Sequence, residues 1–362
     1  MPGTQVDVET ATRVTTASLR AYGVEAFTRA GLPEEGAAEV TEVQLEANLR
    51  GQPTHNMGGV PGYCKRMRGG QINTRPRFGI LRESPVSLQL DGDNGPGQWI
   101  GAVAVRHAIR KASASGVGIV VAQHSNHYGA AGHYAWMAAQ EGLIGLTTTN
   151  GGLVLAPWGG ITPTFGNNPL GVGIPAGQHP PIVLDIAMSV VAQGKIALAI
   201  AEGKPIPLGW MFNQRGEFST DPAEFRDGFG VPIAEHKGYG LALVMEVLAG
   251  VLSGAGFCRD HEREITRGGE RPPNLGHLFM AINPELFMPR AEFQARIDRM
   301  VEAVKSSQLA PGVREVLLPG EIEMRNRAAN VAAGSVPLLP STLRALQAYR
   351  EEADLTTELV EA

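Results

Sequence analysis

Three histidines and an asparagine lie within ten residues, from His124 to His133, and these side chain types suit proton transfer. They follow the apolar run Val117 to Gln123, which predicts a buried strand, and they lead into a helical pattern that ends at Gly142. A helix N-terminus carries unpaired N–H groups and the positive end of the dipole, so imidazoles delivered to it suggest the edge of an active site. The alternative is that His124, His127 and His133 are ordinary polar residues.

The composition predicts a globular chain of one large domain or two smaller ones. Its 362 residues are enough for a sizeable core, with 43% hydrophobic and 19% charged residues. The formal net charge of −5 argues against a nucleic-acid-binding protein, whose binding face is normally basic. The sequence shows no apolar run of the roughly 20 residues that cross a bilayer, which argues against a membrane protein.

The expected location is the cytoplasm. The first residues lack the basic and apolar regions of a secretory signal. The two cysteines, Cys64 and Cys258, lie far apart without a paired spacing, so a disulfide framework is not expected.

The periodicities predict an α/β fold with an antiparallel or mixed sheet. Two amphipathic helices are expected between Thr10 and Ala47, followed by a loop rich in Gly and Pro from Arg50 to Tyr63. Short strand-like segments between Thr147 and Asp185 are separated by Gly and Pro turns, which indicates hairpins. Hairpins favour such a sheet over a doubly wound parallel one.

A glycine-rich segment resembles a dinucleotide-binding fingerprint without matching it. Gly95, Gly97 and Gly101 precede a helical pattern, but their spacing is one residue longer than in the Rossmann motif. The Asp-rich stretch before them, which begins at Asp91, also lacks the pattern of a buried parallel first strand. The segment is therefore not expected to be a Rossmann phosphate loop.

Eight motifs in one order resemble those of the type-2 malate/L-lactate dehydrogenase family, which includes ureidoglycolate dehydrogenase and cyclic-imine carboxylate reductases. They extend from about residue 45 to about residue 325, which is nearly the whole chain. The motifs are LRGQPTHNMGG, LDGDNGPGQWIG, VGIVVAQHSNHYGAAGHYA, LAPWGG followed by GNNPLGVGIPAG, VLDIAMSVVAQGKI, IPLGW with STDP, HKGYGLALVMEVLAGVLSGAGF, and LPGE.

The resemblance implies a homodimeric oxidoreductase that uses NAD or NADP and needs no metal. It implies a non-Rossmann nicotinamide-binding domain with a mostly antiparallel mixed sheet, expected over residues 76–324. A smaller helical domain for substrate binding and dimerisation is expected from residues 1–75 together with 325–362. The implied reaction is hydride transfer between the nicotinamide and a small carbonyl or alcohol substrate.

The family's functional residues map onto positions of this chain. Its proton-transfer histidine corresponds to His127, and a second histidine, from its Ser-His-Gly motif, corresponds to His55, with Thr54 in place of the serine. Substrate contacts are expected from Thr54, Gly59, Tyr63 and Gly151. Cofactor contacts are expected from Asp185, Ile186, Ala187, Lys237, Gly238, Gly320, Glu321 and Ile322.

Imidazole suits both directions of such a reaction. Hydride transfer to a carbonyl or imine carbon develops negative charge on the heteroatom, so an acid must supply a proton, and the reverse reaction needs a base. An imidazole that titrates near neutrality serves as both, which is the role expected of His127. Lys237 is expected to neutralise a phosphate, and Asp185 or Glu321 to accept hydrogen bonds from ribose hydroxyls. His124 and His133 are then expected to be structural.

The chain departs from the family on the expected substrate side. Family members usually carry an arginine four residues after the loop histidine, where it holds a substrate carboxylate, and this chain has Gly59. A serine that often contacts substrate is replaced by Gly151. Glycine cannot replace a guanidinium, so the substrate is expected not to be a simple 2-oxo acid, or to bind its carboxylate through Arg50, Lys65 or Arg66. Both glycines are expected to leave room for a larger ketone or a cyclic imine.

The sequence leaves two alternatives open. A cyclic-imine reductase shares every motif, so C=O and C=N substrates are not distinguished. A diverged binding protein would keep the cofactor pocket without turnover; the pair His55 and His127 favours an enzyme, whereas the missing arginine favours the binding protein. A metal hydrolase built on His124, His127 and His133 is disfavoured, because no further ligand lies at a recognisable spacing.

Overall fold

The computed structural model describes residues 11–263 and 272–362. Its α-helices are α1 (Thr16–Arg29), α2 (Glu34–Leu49), α3 (Val60–Arg68), α4 (Gly97–Ser115), α5 (Ala131–Gln140), α6 (Gln193–Glu202), α7 (His236–Glu246), α8 (Arg290–Lys305), α9 (Glu321–Ala333) and α10 (Pro340–Glu352). Its strands are β1 (Thr12–Thr15), β2 (Gly79–Glu83), β3 (Ser87–Asp91), β4 (Val117–Ser125), β5 (Ile144–Thr149), β6 (Leu170–Ile174), β7 (Ile182–Ile186), β8 (Met211–Phe212), β9 (Phe218–Ser219), β10 (Phe229–Gly230), β11 (Leu275–Ile282) and β12 (Ser335–Leu338).

The expected α/β fold with a mostly antiparallel mixed sheet is confirmed. Seven strands form the central sheet in the order β2-β3-β4-β11-β5-β6-β7. Neighbouring strands are antiparallel except for β3 and β4. The hairpins expected between Thr147 and Asp185 are β5–β6 and β6–β7. Helices α4 and α5 pack on the sheet over a core that includes Ile100, Val120 and Phe279.

The sheet brings several strand ends to one edge. β4 and β5 are both antiparallel to β11, which lies between them, so these two strands point the same way. β7 also points this way, because β6 lies between β5 and β7 and is antiparallel to both. With strands about 4.8 Å apart, the ends of β4, β5 and β7 follow each other along this edge at intervals of about 10 Å. The candidate residues His127, Gly151 and Asp185 lie at or just after these ends.

The glycine-rich segment differs from its expected local structure. β3 does pair in parallel with β4, and α4 is the crossover between them. The sequence did not predict this parallel pairing, because only Leu88 and Leu90 of β3 are buried, while the alternate residues are partly exposed. This alternation is typical of an antiparallel strand with one solvated face.

The glycines of this segment allow close packing. A Cβ on Gly97 would lie 2.0 Å from the carbonyl oxygen of Asn126, and a Cβ on Gly101 would lie 2.7 Å from the ring of Tyr134. Backbone and ring atoms therefore already occupy the space beside both glycines.

A second core lies between the helices at the two ends of the chain. Leu19 and Phe27 of α1, Val40 of α2 and Leu346 of α10 are buried in it. The helices expected between Thr10 and Ala47 are α1 and α2, and β1 pairs antiparallel with β12 beside them. None of the helices in the described ranges combines the length and apolar character needed to cross a bilayer.

Candidate active site

His127 lies just after β4, where α3 approaches the edge of the sheet. The hydroxyl of Tyr63 lies 2.6 Å from its Nδ1. The backbone N–H of Gly129 donates to the same nitrogen at 3.4 Å. The ring of His55 stacks on it, with centroids 5.1 Å apart and planes 11° from parallel. The structure thus brings three of the expected site residues, His55, Tyr63 and His127, into one cluster.

The imidazole of His127 is held neutral. Desolvation is the main cause that lowers its pKa to about 3; repulsion from His55 or His277 when either is protonated, and from the Arg66 guanidinium, acts in the same direction. Burial also lowers the pKa of His55. The expectation that His127 titrates near neutrality is therefore wrong, because imidazolium is disfavoured where the ring lies.

His55 is presented by a loop with unusual backbone geometry. Its φ is +65°, in the left-handed region that non-glycine residues seldom adopt. Its Nδ1 lies 3.0 Å from Oγ1 of Thr54, which fixes the ring against His127. The methyl group of Thr54 packs on α6, since a Cβ on Gly194 would lie 2.7 Å from it.

The two substrate-side glycines have different surroundings. A Cβ on Gly59 would lie 3.1 Å from the ring of Tyr63 and 3.5 Å from Oε1 of Gln44. The expected space at Gly59 is therefore filled, because helical side chains lean towards the N-terminus and Tyr63 leans back over the first turn of α3. A Cβ on Gly151 would meet no described atom within 4 Å, so this glycine does adjoin open space.

Arg66 is the basic residue that the structure places near His127. It lies one helical turn after Tyr63 in α3, and its Nη2 donates to Oδ1 of Asn126 at 3.0 Å. Arg50 is instead only 3% exposed and packs 4.7 Å above the ring centroid of Trp136. Lys65 is exposed on α3.

Asp185 lies at the end of β7 against the first turn of α5. The backbone N–H of Gly132 donates to its carboxylate, and a Cβ on Gly132 would lie 2.9 Å from Oδ2. Solvent reaches the side chain, yet the surrounding protein desolvates it and raises its pKa to about 6. Asp185 is thus a carboxylate that a ligand can reach and that an incoming hydrogen-bond donor would stabilise.

The segment after β7 is paired with the residues that precede α7. The N–H of Ile233 donates to the carbonyl of Met188 at 2.9 Å, one residue beyond Ile186 and Ala187. Gly238, in the first turn of α7, fits tightly, since a Cβ on it would lie 1.8 Å from the carbonyl oxygen of Ile233. The exposed Lys237 therefore lies at the N-terminus of α7, near the continuation of the Asp185 strand.

The turn before α9 lies against the same strand. Gly320 has a φ of +75°, and its Cβ would lie 2.3 Å from the carbonyl oxygen of Val183. The carboxylate of Glu321 binds Nζ of Lys305 at 2.6 Å, the guanidinium of Arg325 and the backbone N–H of Leu318. Glu321 thus holds the turn in place with both oxygens engaged.

Among the expected cofactor residues, some are open to a ligand and others hold the fold. Ile322 is exposed beside the turn. Because Glu321 is already bound, Asp185 is the carboxylate of the two that can accept ribose hydroxyls. The residues fit a nicotinamide cofactor: Lys237 at a helix N-terminus suits a phosphate, Asp185 suits a ribose, and the space beside Gly151 adjoins the same sheet edge as His127.

The sequence did not single out His277, which joins two strand ends beneath the site. It is fully buried in β11, with Nδ1 2.7 Å from Oγ1 of Thr149 and Nε2 2.6 Å from Oγ of Ser125. Its ring stacks on Tyr128 at 4.6 Å. The only signal in the sequence is a lone histidine inside an apolar strand, which also fits an ordinary core histidine.

The other two histidines between His124 and His133 have structural contacts. His124 lies 3.0 Å from the carboxylate of Asp91. His133 is buried and meets the edge of the Tyr134 ring. Across the described ranges, no three His, Cys, Asp or Glu side chains converge in a way that could hold a metal ion.

Comparisons with known proteins identify the family of this chain. The malate/L-lactate dehydrogenase family model matches residues 14–347. A malate dehydrogenase of Pyrococcus horikoshii is 38% identical, over 85% of this chain and 87% of its own. Its solved structure (strain OT3) has a TM-score of 0.88 and 32% identity and covers 99% of both chains.

Relatives with other substrates are also similar. The ureidoglycolate dehydrogenase (NAD(+)) of Escherichia coli K12 is 32% identical, over 81% of this chain and 83% of its own. The structure of delta1-piperideine-2-carboxylate reductase from Pseudomonas syringae has a TM-score of 0.83 and 27% identity, and covers 92% of this chain and 98% of the other.

The buried neutral histidines make the stability depend on pH. Burial lowers the pKa of His127, His133 and His277 to about 3 each. These folded values lie below the value of about 6.5 in an unfolded chain. As the pH falls below about 6.5, the unfolded chain binds protons that the folded chain does not, so stability is lost. Asp185 has the opposite effect on stability, because its pKa in the folded chain is raised to about 6. Below that pH the folded chain binds a proton that the unfolded chain does not.

We expect the free energy of unfolding, measured with urea, to fall between pH 6 and pH 5. The variant His133→Gln removes one such histidine and should reduce the slope by about 1 kcal/mol per pH unit. Equal or greater stability of the unmodified protein at pH 5 would contradict the assignment of neutral buried histidines.

Proposed function

Because the chain belongs to the malate/L-lactate dehydrogenase family, we propose that it transfers a hydride between NAD or NADP and a carbonyl or alcohol carbon at the sheet edge that carries His127. The chain is an NAD(P)-dependent oxidoreductase that acts on CH–OH or C=N groups. The observation that carries the proposed site is the cluster of Tyr63 and His55 on the neutral imidazole of His127.

The cofactor is proposed to lie along β7 in a non-Rossmann domain. Asp185, Ile186 and Ala187 would contact the ribose and nicotinamide, and the turn at Gly320 with Ile322 would border them. Lys237 and Gly238, at the first turn of α7, would hold phosphate. When bound, the nicotinamide supplies or accepts the hydride. The glycines near Gly97 are not part of this site, because packing fills the space beside them.

The chain's own residues place and move the proton. His127 presents its Nε2 to the substrate oxygen, while Tyr63 and Gly129 hold the opposite nitrogen. The stacked ring of His55 keeps the imidazole from rotating and excludes water from one face. Fixed placement of the proton carrier lowers the entropic part of the barrier.

The substrate is proposed to be larger than a simple 2-oxo acid. At Gly59 there is no guanidinium, and Tyr63 fills the position. Arg66, which donates to Asn126 beside His127, is proposed as the partner of a substrate carboxylate. The open space lies beside Gly151, so the bulk of the substrate is proposed to extend there. A cyclic imine remains the second candidate, because a reductase of that class shares the fold.

The variant His127→Ala tests whether the site turns over its substrate. We expect kcat to fall by about 10²-fold or more, because the proton carrier is lost. Cofactor affinity, measured by the fluorescence of the bound reduced cofactor, should change little, and His124→Ala should keep full activity. A protein that binds cofactor, with no turnover of any carbonyl, alcohol or imine before or after the substitution, would instead be the diverged binding protein.

A substrate screen with both reduced cofactors tests the size argument. We expect kcat/KM for pyruvate and oxaloacetate to lie at least about tenfold below that for a bulkier ketone or cyclic imine. The variant Gly151→Val should fill the open space and lower turnover of the bulky substrate about tenfold, with little effect on pyruvate. Rapid turnover of pyruvate or oxaloacetate by the unmodified protein would refute the proposal.

We also propose two domains and a cytoplasmic location. A helical domain of residues 1–75 with 325–362 is supported by the second core, in which α1, α2 and α10 pack together; residues 1–10 lie outside the described ranges. Cys64 and Cys258 are unpaired thiols, which suits a reducing compartment.

A homodimer is proposed from the surface of α7. This helix and the π-helical turn after it, Val247–Val251, expose a row of aliphatic side chains. The exposed residues are Leu241, Leu243, Val244, Val247, Val251 and Leu252. Apolar patches of this kind mark association surfaces in soluble proteins, and a second copy is the partner that the family resemblance implies.

The oligomeric state tests this surface. We expect light scattering after gel filtration to give twice the chain mass for the unmodified protein and the monomer mass for Val247→Glu, since a buried unpaired carboxylate is strongly unfavourable. The control Val304→Glu, at an exposed position on α8, should remain dimeric. A monomeric unmodified protein at micromolar concentration would exclude the dimer.

A further inference from the structure

Two hydrogen-bond donors converge on Nδ1 of His127. The backbone N–H of Gly129 can only donate, and it is directed at this nitrogen at 3.4 Å. Nδ1 is therefore an acceptor without its own hydrogen, and the hydroxyl of Tyr63, 2.6 Å away, donates to it as well. The neutral ring must then carry its hydrogen on Nε2, because imidazole has one hydrogen for two nitrogens.

This tautomer constrains how the histidine can act as an acid. Nε2 can release its hydrogen only as Nδ1 gains one, since an imidazolate is not accessible in water. Imidazolium as the starting acid is disfavoured, because burial, together with repulsion from neighbouring cationic groups such as the Arg66 guanidinium, lowers the pKa of His127 to about 3. The hydrogen that reaches Nδ1 must come from a group already bonded there.

We propose that Tyr63 is the proton donor of the reduction and that His127 relays its proton to the substrate. This inference rests on the proposed function of the same site. As the substrate carbon is reduced, the Nε2–H bond breaks and an O–H bond forms on the substrate. In the same step the Tyr63 O–H bond breaks and an Nδ1–H bond forms, which leaves a neutral His127 and a phenolate. A solvent proton then returns to the phenolate, and after product release exchange with water moves the ring hydrogen from Nδ1 back to Nε2, which restores the starting tautomer; oxidation runs through these steps in reverse.

The surroundings of Tyr63 suit a transient phenolate. Burial raises the pKa of its hydroxyl to about 12, while the Arg66 guanidinium and the Gln98 side chain lower it. Arg66 lies one turn further along α3, and Gln98, 1% exposed, belongs to the first turn of α4. An alkoxide is a stronger base than a phenolate, so the proton moves towards the substrate oxygen. Tyr63 is half-buried, so water can restore its proton.

The relay differs from a substrate-binding role for Tyr63 in what a mutation changes. A tyrosine that only binds substrate would raise KM when its hydroxyl is removed. A tyrosine that donates through His127 would lower kcat, with KM changed by less than about threefold. It would also place two hydrogens in motion in one step.

The experiment is a proton inventory of the single-turnover rate in mixtures of H₂O and D₂O. We expect a curved dependence on the deuterium fraction for the unmodified protein, as two hydrogens in flight require. For Tyr63→Phe we expect a linear dependence and a rate lower by about 10²-fold. Tyr22→Phe, which removes a buried hydroxyl bonded to Leu346 far from the site, is the control and should keep the curvature. A linear inventory for the unmodified protein, or full activity of Tyr63→Phe, would overturn the relay.

A second measurement needs no turnover. The ¹⁵N chemical shifts of His127 at pH 7, assigned by comparison with His127→Gln, report which nitrogen carries the hydrogen. We expect the Nε2–H tautomer in the unmodified protein and a mixture of tautomers in Tyr63→Phe. An Nδ1–H tautomer in the unmodified protein would overturn the relay even if the enzyme reduces carbonyls. An inactive protein with the Nε2–H tautomer would refute the proposed function and leave the donor arrangement at Nδ1 intact.

Discussion

The close contact between α4 and the chain after β4 is the constraint on which the site depends. A Cβ on Gly97 would lie 2.0 Å from the carbonyl oxygen of Asn126 and 2.6 Å from the carbonyl carbon of His127. The amide of Asn126 closes the same junction by donating to the carbonyl of Gly95 at 2.9 Å. Because backbone lies directly on backbone, His127 has no room to shift. Its ring is therefore delivered to the Tyr63 hydroxyl in one position.

The sheet topology explains why distant segments meet there. Strands β4, β5 and β7 point the same way although most neighbouring strands are antiparallel, so the residues that follow them share an edge. His277 ties the ends of β4 and β5 together through Ser125 and Thr149. The proton-handling cluster, the open space at Gly151 and the Asp185 carboxylate thus lie along one line. Such a line can accommodate a substrate and an extended cofactor.

Much of this arrangement was predictable from the sequence, and the failures have physical causes. Apolar runs and turn residues gave the hairpins and the position of His127 after a buried strand. The β3–β4 pairing was missed because a half-exposed parallel strand alternates like an antiparallel one. The space at Gly59 was misjudged because the residue that fills it, Tyr63, lies one helical turn away. The neutral state of His127 depends on burial by distant segments, which residue spacing does not encode.

The central claim is that this site transfers a hydride directly between the cofactor and a substrate carbon. The most direct test uses reduced cofactor that carries deuterium at C4 of the nicotinamide, with the product analysed by NMR and mass spectrometry. We expect one deuterium on the new carbinol or amine carbon of each product molecule, from one face of the nicotinamide, and none from D₂O in the converse labelling. A product whose carbon hydrogen comes from solvent would contradict it.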